Sequence, residues 1–233
     1  MWYEEKKSSR LPVLVLAAAG WLATAWIPTA RGDDPADAKP AIQVDLDMSE
    51  VPEMKDWCLR AKEILEQWYP KVVETLGASS YPLPRHIKLI FKNSKKGIAG
   101  TAGNQIFCTA AWFKAHPDDY GALVHEMVHV VQAYPKYDPP WLVEGIADYV
   151  RFWVYEPGAK RPRLNPARAR YQDGYKTTGA FLAWLVAKYD KDLVRKLNTA
   201  CHKNQYEESL FRQYTGKDLD ALWSEFKGTL TAR

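Results

Sequence analysis

Cysteine is scarce in this sequence. Its three residues, Cys58, Cys108 and Cys201, lie far apart and form no C-x-x-C pair. A cysteine-ligated structural metal site is therefore excluded. One disulfide with a spare thiol, or three separate thiols, both remain open. No internal repeat is present, which excludes a solenoid, and no nucleic-acid-binding motif accompanies the modest net charge of +4. Long apolar runs are missing with one exception near the N-terminus. What is plentiful is core material: 47% of the 233 residues are apolar, with 10 Trp and 13 Tyr, which excludes a disordered chain. The length suits one sizeable domain or two small ones.

The exception is Leu11–Ile27, 17 residues without a charge, preceded by Lys6, Lys7 and Arg10. A basic segment followed by an apolar one is the pattern of an export signal, so residues 1–30 are expected to be a signal peptide and 31–40 a linker rich in Asp, Ala and Pro. An uncleaved membrane anchor is the competing reading, because 17 residues is the lower edge of spanning length. The expected product is secreted or otherwise extracytoplasmic, with membrane contact only if the segment is retained. Charge is uneven downstream: Lys160–Arg170 carries five basic residues and no acid, a pattern expected of a solvated loop. Nothing in the sequence sets the oligomeric state.

Residues 41–233 read as one α+β domain. Ile42–Leu46 alternates apolar and polar residues as a short strand does. Met54, Trp57, Cys58, Ala61, Ile64, Leu65 and Trp68 recur every three or four residues, as on one helix face; Pro70 is expected to interrupt that helix, with Val72, Val73 and Leu76 continuing for a further turn or two before Gly77. His86–Phe91 reads as a strand. Ile98–Ala102 and Gln105–Thr109 flank Gly103-Asn104 as a hairpin or two short strands; the small side chains of the first suit either a sheet edge open to an extended peptide or a flexible loop. The run Tyr120–Tyr134 reads as helix, with Pro117 suited to a first helical position and Pro135 to its stop, and a second helix is expected from Trp141 to about Tyr155. Helices around 177–189, 191–202, 206–213 and 218–230 complete a mainly helical C-terminal half.

The first of the two central helices contains His125-Glu126-Met127-Val128-His129. Residues four apart share a helix face, so both imidazoles can grip one metal ion while Glu126 reaches over its open side. This is the H-E-x-x-H pattern of zinc peptidases, and the expected cofactor is Zn²⁺. A catalytic zinc needs a third protein ligand. The extension H-E-x-x-H-x-x-G-x-x-H fails, because Gln132 and Pro135 occupy its Gly and His positions. Glu144, at the start of the next helix, is the natural third ligand. Asp148, one turn on, is placed to accept a hydrogen bond from a ligand histidine.

Several segments also agree in order with one family. His125–Gln132 matches an H-E-M-x-H-x-x-Q helix, and Glu144–Arg151 reads E-G-I-A-D-Y-V-R. Gly174–Leu182 fits GY-x-x-T-x-x-FL, and Gly216-Lys217 with Leu222-Trp223 and Phe226-Lys227 fits the tail. The chain resembles the plant basic secretory protein family and its bacterial relatives, with the Glu-x-x-x-Asp helix of gluzincin metallopeptidases. Two departures are Gly179, where the family more often has a larger residue, and Phe226 in place of a common Tyr. The resemblance implies a zincin-like fold: a small N-terminal mixed sheet with an edge strand, packed on the metal-binding helix. It also implies peptide or protein substrates, with Glu126 as general base. Tyr175 is the expected donor to the developing oxyanion, with Tyr171 as the runner-up. The competing function is a secreted binding or defence-type protein whose zinc site is structural or vestigial.

Overall fold

The computed structural model describes residues 42–161 and 163–231, the last by its backbone alone. The expected export segment and linker lie outside the described residues. Among the described residues no helix is long and apolar enough to cross a membrane.

Four strands form one mixed sheet in the order β1 (Gln43–Asp47), β2 (His86–Lys92), β4 (Gln105–Thr109), β3 (Ala99–Ala102). β1 and β4 both run parallel to β2, and β3 runs antiparallel to β4. The parallel β1–β2 pair needs a long crossover, supplied by helix α1 (Lys55–Leu76). Alternation along β2 turns Ile87, Leu89 and Phe91 into the core and leaves His86, Lys88 and Lys92 exposed. The hairpin closes through Gly103, whose φ of 59° suits the first central position of a tight two-residue turn. β3 is left at the sheet edge, as its small side chains suggested.

Helix α1 does not break at Pro70. It runs on to Leu76 and ends on Gly77 in the left-handed conformation. Proline inside a helix costs about 3 kcal/mol. Val72, Val73 and Leu76, which follow it, are fully buried, and each such side chain stabilises by about 1.5–3 kcal/mol. Burial therefore outweighs the lost hydrogen bond.

The motif helix α3 spans Gly121–Gln132, starting four residues later than Pro117 suggested. Residues 117–119 instead form a turn, and the Asp119 carboxylate accepts the Ala122 N–H at 3.2 Å and the Trp112 indole N–H at 2.9 Å. Trp112 lies on α2 (Ala110–Ala115), a short helix with no periodic signal long enough to read. Every residue of α3 except His129 is buried, so it is the central helix of the molecule.

Helix α4 (Pro140–Tyr149) continues into a π-helical turn, Val150–Tyr155. α5 (Tyr175–Lys188) packs closely across it, and glycine makes that approach possible. A Cβ on Gly145 would lie 2.2 Å from Thr178 Cγ2. On Gly179 it would lie 3.1 Å from the Tyr149 backbone nitrogen, which accounts for the glycine that departs from the family pattern. Helices α6 (Leu193–His202), α7 (Ser209–Thr215) and α8 (Leu219–Thr231) close the core, with Trp223 and Phe226 against Phe181 at ring-centroid distances of 5.1 and 5.5 Å. All three cysteines are buried free thiols.

Candidate metal centre

His125 and His129 project from one face of α3, with ring centroids 4.8 Å apart. Their outer nitrogens are both occupied. His125 Nδ1 lies 2.7 Å from Asp148 Oδ1, and a carboxylate only accepts, so this nitrogen carries the proton. His129 Nδ1 lies 2.7 Å from Gln132 Oε1. The Gln132 amide is oriented by its own NH₂, which donates to the Val143 carbonyl at 3.0 Å, so here too the imidazole is the donor. With Nδ1 of each ring engaged as a donor, Nε2 is the nitrogen that each imidazole turns to the centre of the site.

Those two nitrogens face each other and a carboxylate. The Nε2 atoms are 3.1 Å apart, and Glu144 Oε2 is 3.1 Å from His125 Nε2 and 3.5 Å from His129 Nε2. Three acceptors at such distances require a positive charge between them. Burial opposes charge on His125, yet its hydrogen bonds to Asp148 and Glu144 raise its pKa to about 9. Burial likewise opposes the Glu144 anion, but His125, His129 and Tyr137 outweigh it and hold Glu144 well below the ordinary carboxylate range. A proton or a metal ion meets the demand, and the size of the triangle fits a metal. Ligands about 2.0–2.1 Å from a tetrahedral zinc stand about 3.3 Å from one another. His125, His129 and Glu144 are thus a cluster that could hold a metal ion.

Glu126 lines the same cleft, buried beside the edge strand. Thr101 of β3 places its hydroxyl 2.7 Å from Glu126 Oε2 and 3.0 Å from the Glu126 carbonyl, tying the carboxylate to the strand. The cleft has a volume of about 1280 Å³ and is bordered by Ala99, Gly100 and Thr101, so edge strand β3 forms part of its wall.

A family model described as a peptidase of plants and bacteria matches residues 56–226. The chain belongs to that family. Its substrates are accordingly peptides or proteins. The matched span begins in α1 and ends in α8, so this member of the peptidase family carries β1 outside it. Comparison with curated proteins and with solved structures returned no match.

Within this peptidase, the two tyrosines named from sequence part company. Tyr175 is 55% exposed at the cleft wall, its ring stacked over His125 at 6.1 Å. Its backbone, with φ of 44° directly after Gly174 at 70°, is in the left-handed region that non-glycine residues avoid. Tyr171 is 6% exposed and packs against Trp141 and Trp223, so the runner-up is a core residue. Three contributors were not read from the sequence. Gln132 had a signal, since it follows His129 by three residues and shares its face. Thr101 and Tyr137, whose hydroxyl bonds Glu144, reach the site only through the chain's path in space.

Proposed function

We propose that this protein is an exported zinc-dependent metallopeptidase of zincin-like fold. The observation that carries the reading is the convergence of two imidazole nitrogens and one carboxylate oxygen on a single point, each ligand held from behind by its own partner. Bound there, zinc supplies Lewis acidity, polarising a carbonyl and lowering the pKa of a water towards ~7. The chain's own residues do the rest. Thr101 holds Glu126 at the edge of β3, where its carboxylate takes the proton of the attacking water and passes it to the leaving nitrogen. An extended peptide pairs with the free side of β3, which lays its backbone along the cleft. Tyr175, exposed over His125, offers its phenol to the developing oxyanion.

Glu126→Gln is the direct test. The variant should retain zinc yet lose hydrolysis of a broad peptide library, and full activity would remove Glu126 as the base. Glu144→Ala should lose zinc, and undiminished zinc content would move the third ligand elsewhere. A wild-type protein that holds zinc and cleaves nothing would favour the binding or defence role. Export is tested by N-terminal sequencing of the mature product.

A further inference from the structure

Glu144 has two carboxylate oxygens, and the histidines face only one of them. Oε2 lies against both Nε2 atoms, whereas Oε1 accepts the hydroxyl of Tyr137. Tyr137 comes from the short connection between α3 and α4 and is 57% exposed. Its ring is thus largely outside the core while its hydroxyl is turned inward onto a carboxylate of a half-closed site. A phenol is neutral at ordinary pH and a carboxylate only accepts, so Tyr137 is the donor. The contact matters because a free carboxylate can bind a cation through one oxygen or through both. A donor held on Oε1 engages a lone pair of that oxygen and opposes the rotation that would bring it to the metal. Every ligand of the cluster then has a dedicated partner: Asp148 behind His125, Gln132 behind His129 and Tyr137 behind Glu144.

We propose that Tyr137 is a positioning residue that holds Glu144 as a one-oxygen metal ligand and so keeps a coordination position open for water and substrate. The role rests on the metal-centre reading above. Removing the partner of a ligand typically weakens metal affinity by about 10–100-fold.

The test is Tyr137→Phe in the full chain, with zinc affinity measured by chelator competition and the visible spectrum recorded after cobalt(II) replaces zinc. The expected result is zinc binding weakened about tenfold and weaker cobalt bands, as Glu144 turns to a two-oxygen mode and the tetrahedral field is lost. Melting of the chelated protein should fall by no more than about 2–4 °C, the effect of one lost hydrogen bond, because the ring is largely exposed. Wild-type zinc affinity and spectrum in the variant would overturn the role of Tyr137. So would a drop of more than about 8 °C in the chelated melting temperature, beyond what one hydrogen bond accounts for, which would mean that the residue serves the fold. A wild-type protein that takes up neither metal would overturn the metal centre itself, and the role of Tyr137 with it.

Discussion

Gln132 offers a measurement of site preorganisation that needs no metal. Its side chain is buried and makes two hydrogen bonds, accepting from His129 Nδ1 at 2.7 Å and donating to the Val143 carbonyl at 3.0 Å. Gln132→Ala removes both hydrogen bonds. A buried polar group without its partner costs about 1–3 kcal/mol. The Val143 carbonyl, inside α4, keeps its helical hydrogen bond, and water reaches His129 from the cleft. The low end therefore applies to each, about 2–3 kcal/mol in all. For a domain of this size about 1 kcal/mol shifts the melting temperature by roughly 2–4 °C. Thermal melts followed by circular dichroism in excess chelator should then show a fall of about 4–12 °C. Gln132→Met keeps most of the volume and loses only the hydrogen bonds, so it separates the polar contribution from packing. Zinc affinity of Gln132→Ala should fall by about 10–100-fold. A chelated melting temperature within about 1 °C of wild type would refute the reasoning, since it would mean that Gln132 holds nothing.

Two further outcomes follow from the packing and the cleft. Gly145→Ala gains about 1 kcal/mol of helix propensity, but its new methyl meets Thr178 Cγ2 at 2.2 Å and Thr178 Cβ at 2.6 Å, atoms fixed close to the α5 backbone. Overpacking costs about 1–3 kcal/mol, so the net change should be a loss, read as a lower denaturant midpoint with an unchanged slope; a higher midpoint would show that α5 yields freely. Tyr175→Phe should lower kcat by about 10²–10³-fold with KM nearly unchanged, measured on a single cleaved peptide, and an unchanged kcat would remove Tyr175 from the reaction.

The helix periods and the local punctuation were readable because they depend on neighbours in the chain. The His125/His129 pair follows from 3.6 residues per turn, and Glu144 with Asp148 repeats the same spacing on the next helix. The edge position of β3 was readable from its small side chains and from the Gly103-Asn104 turn. Pro70 misled because its local penalty is real, yet it is overridden by residues far away in sequence that bury Val72, Val73 and Leu76. Pro117 misled in the same manner: Asp119 is engaged by Ala122, Trp112 and Arg151, which leaves residues 117–119 in a turn and delays the helix.

By itself, then, the sequence determined the candidate ligand types, their spacing along each helix and the family to which the chain belongs. Only the tertiary structure decided what stands behind each candidate ligand. Thr101 meets Glu126 because the edge strand is laid across α3, and Tyr137 meets Glu144 because the connection from α3 doubles back over the cleft. Tyr175 and Tyr171 are four residues apart, yet one caps the site and the other fills the core. Periodicity assigns a residue to a face of its own element. Which face meets which is set by burial summed over the whole chain, and that sum has no local signature.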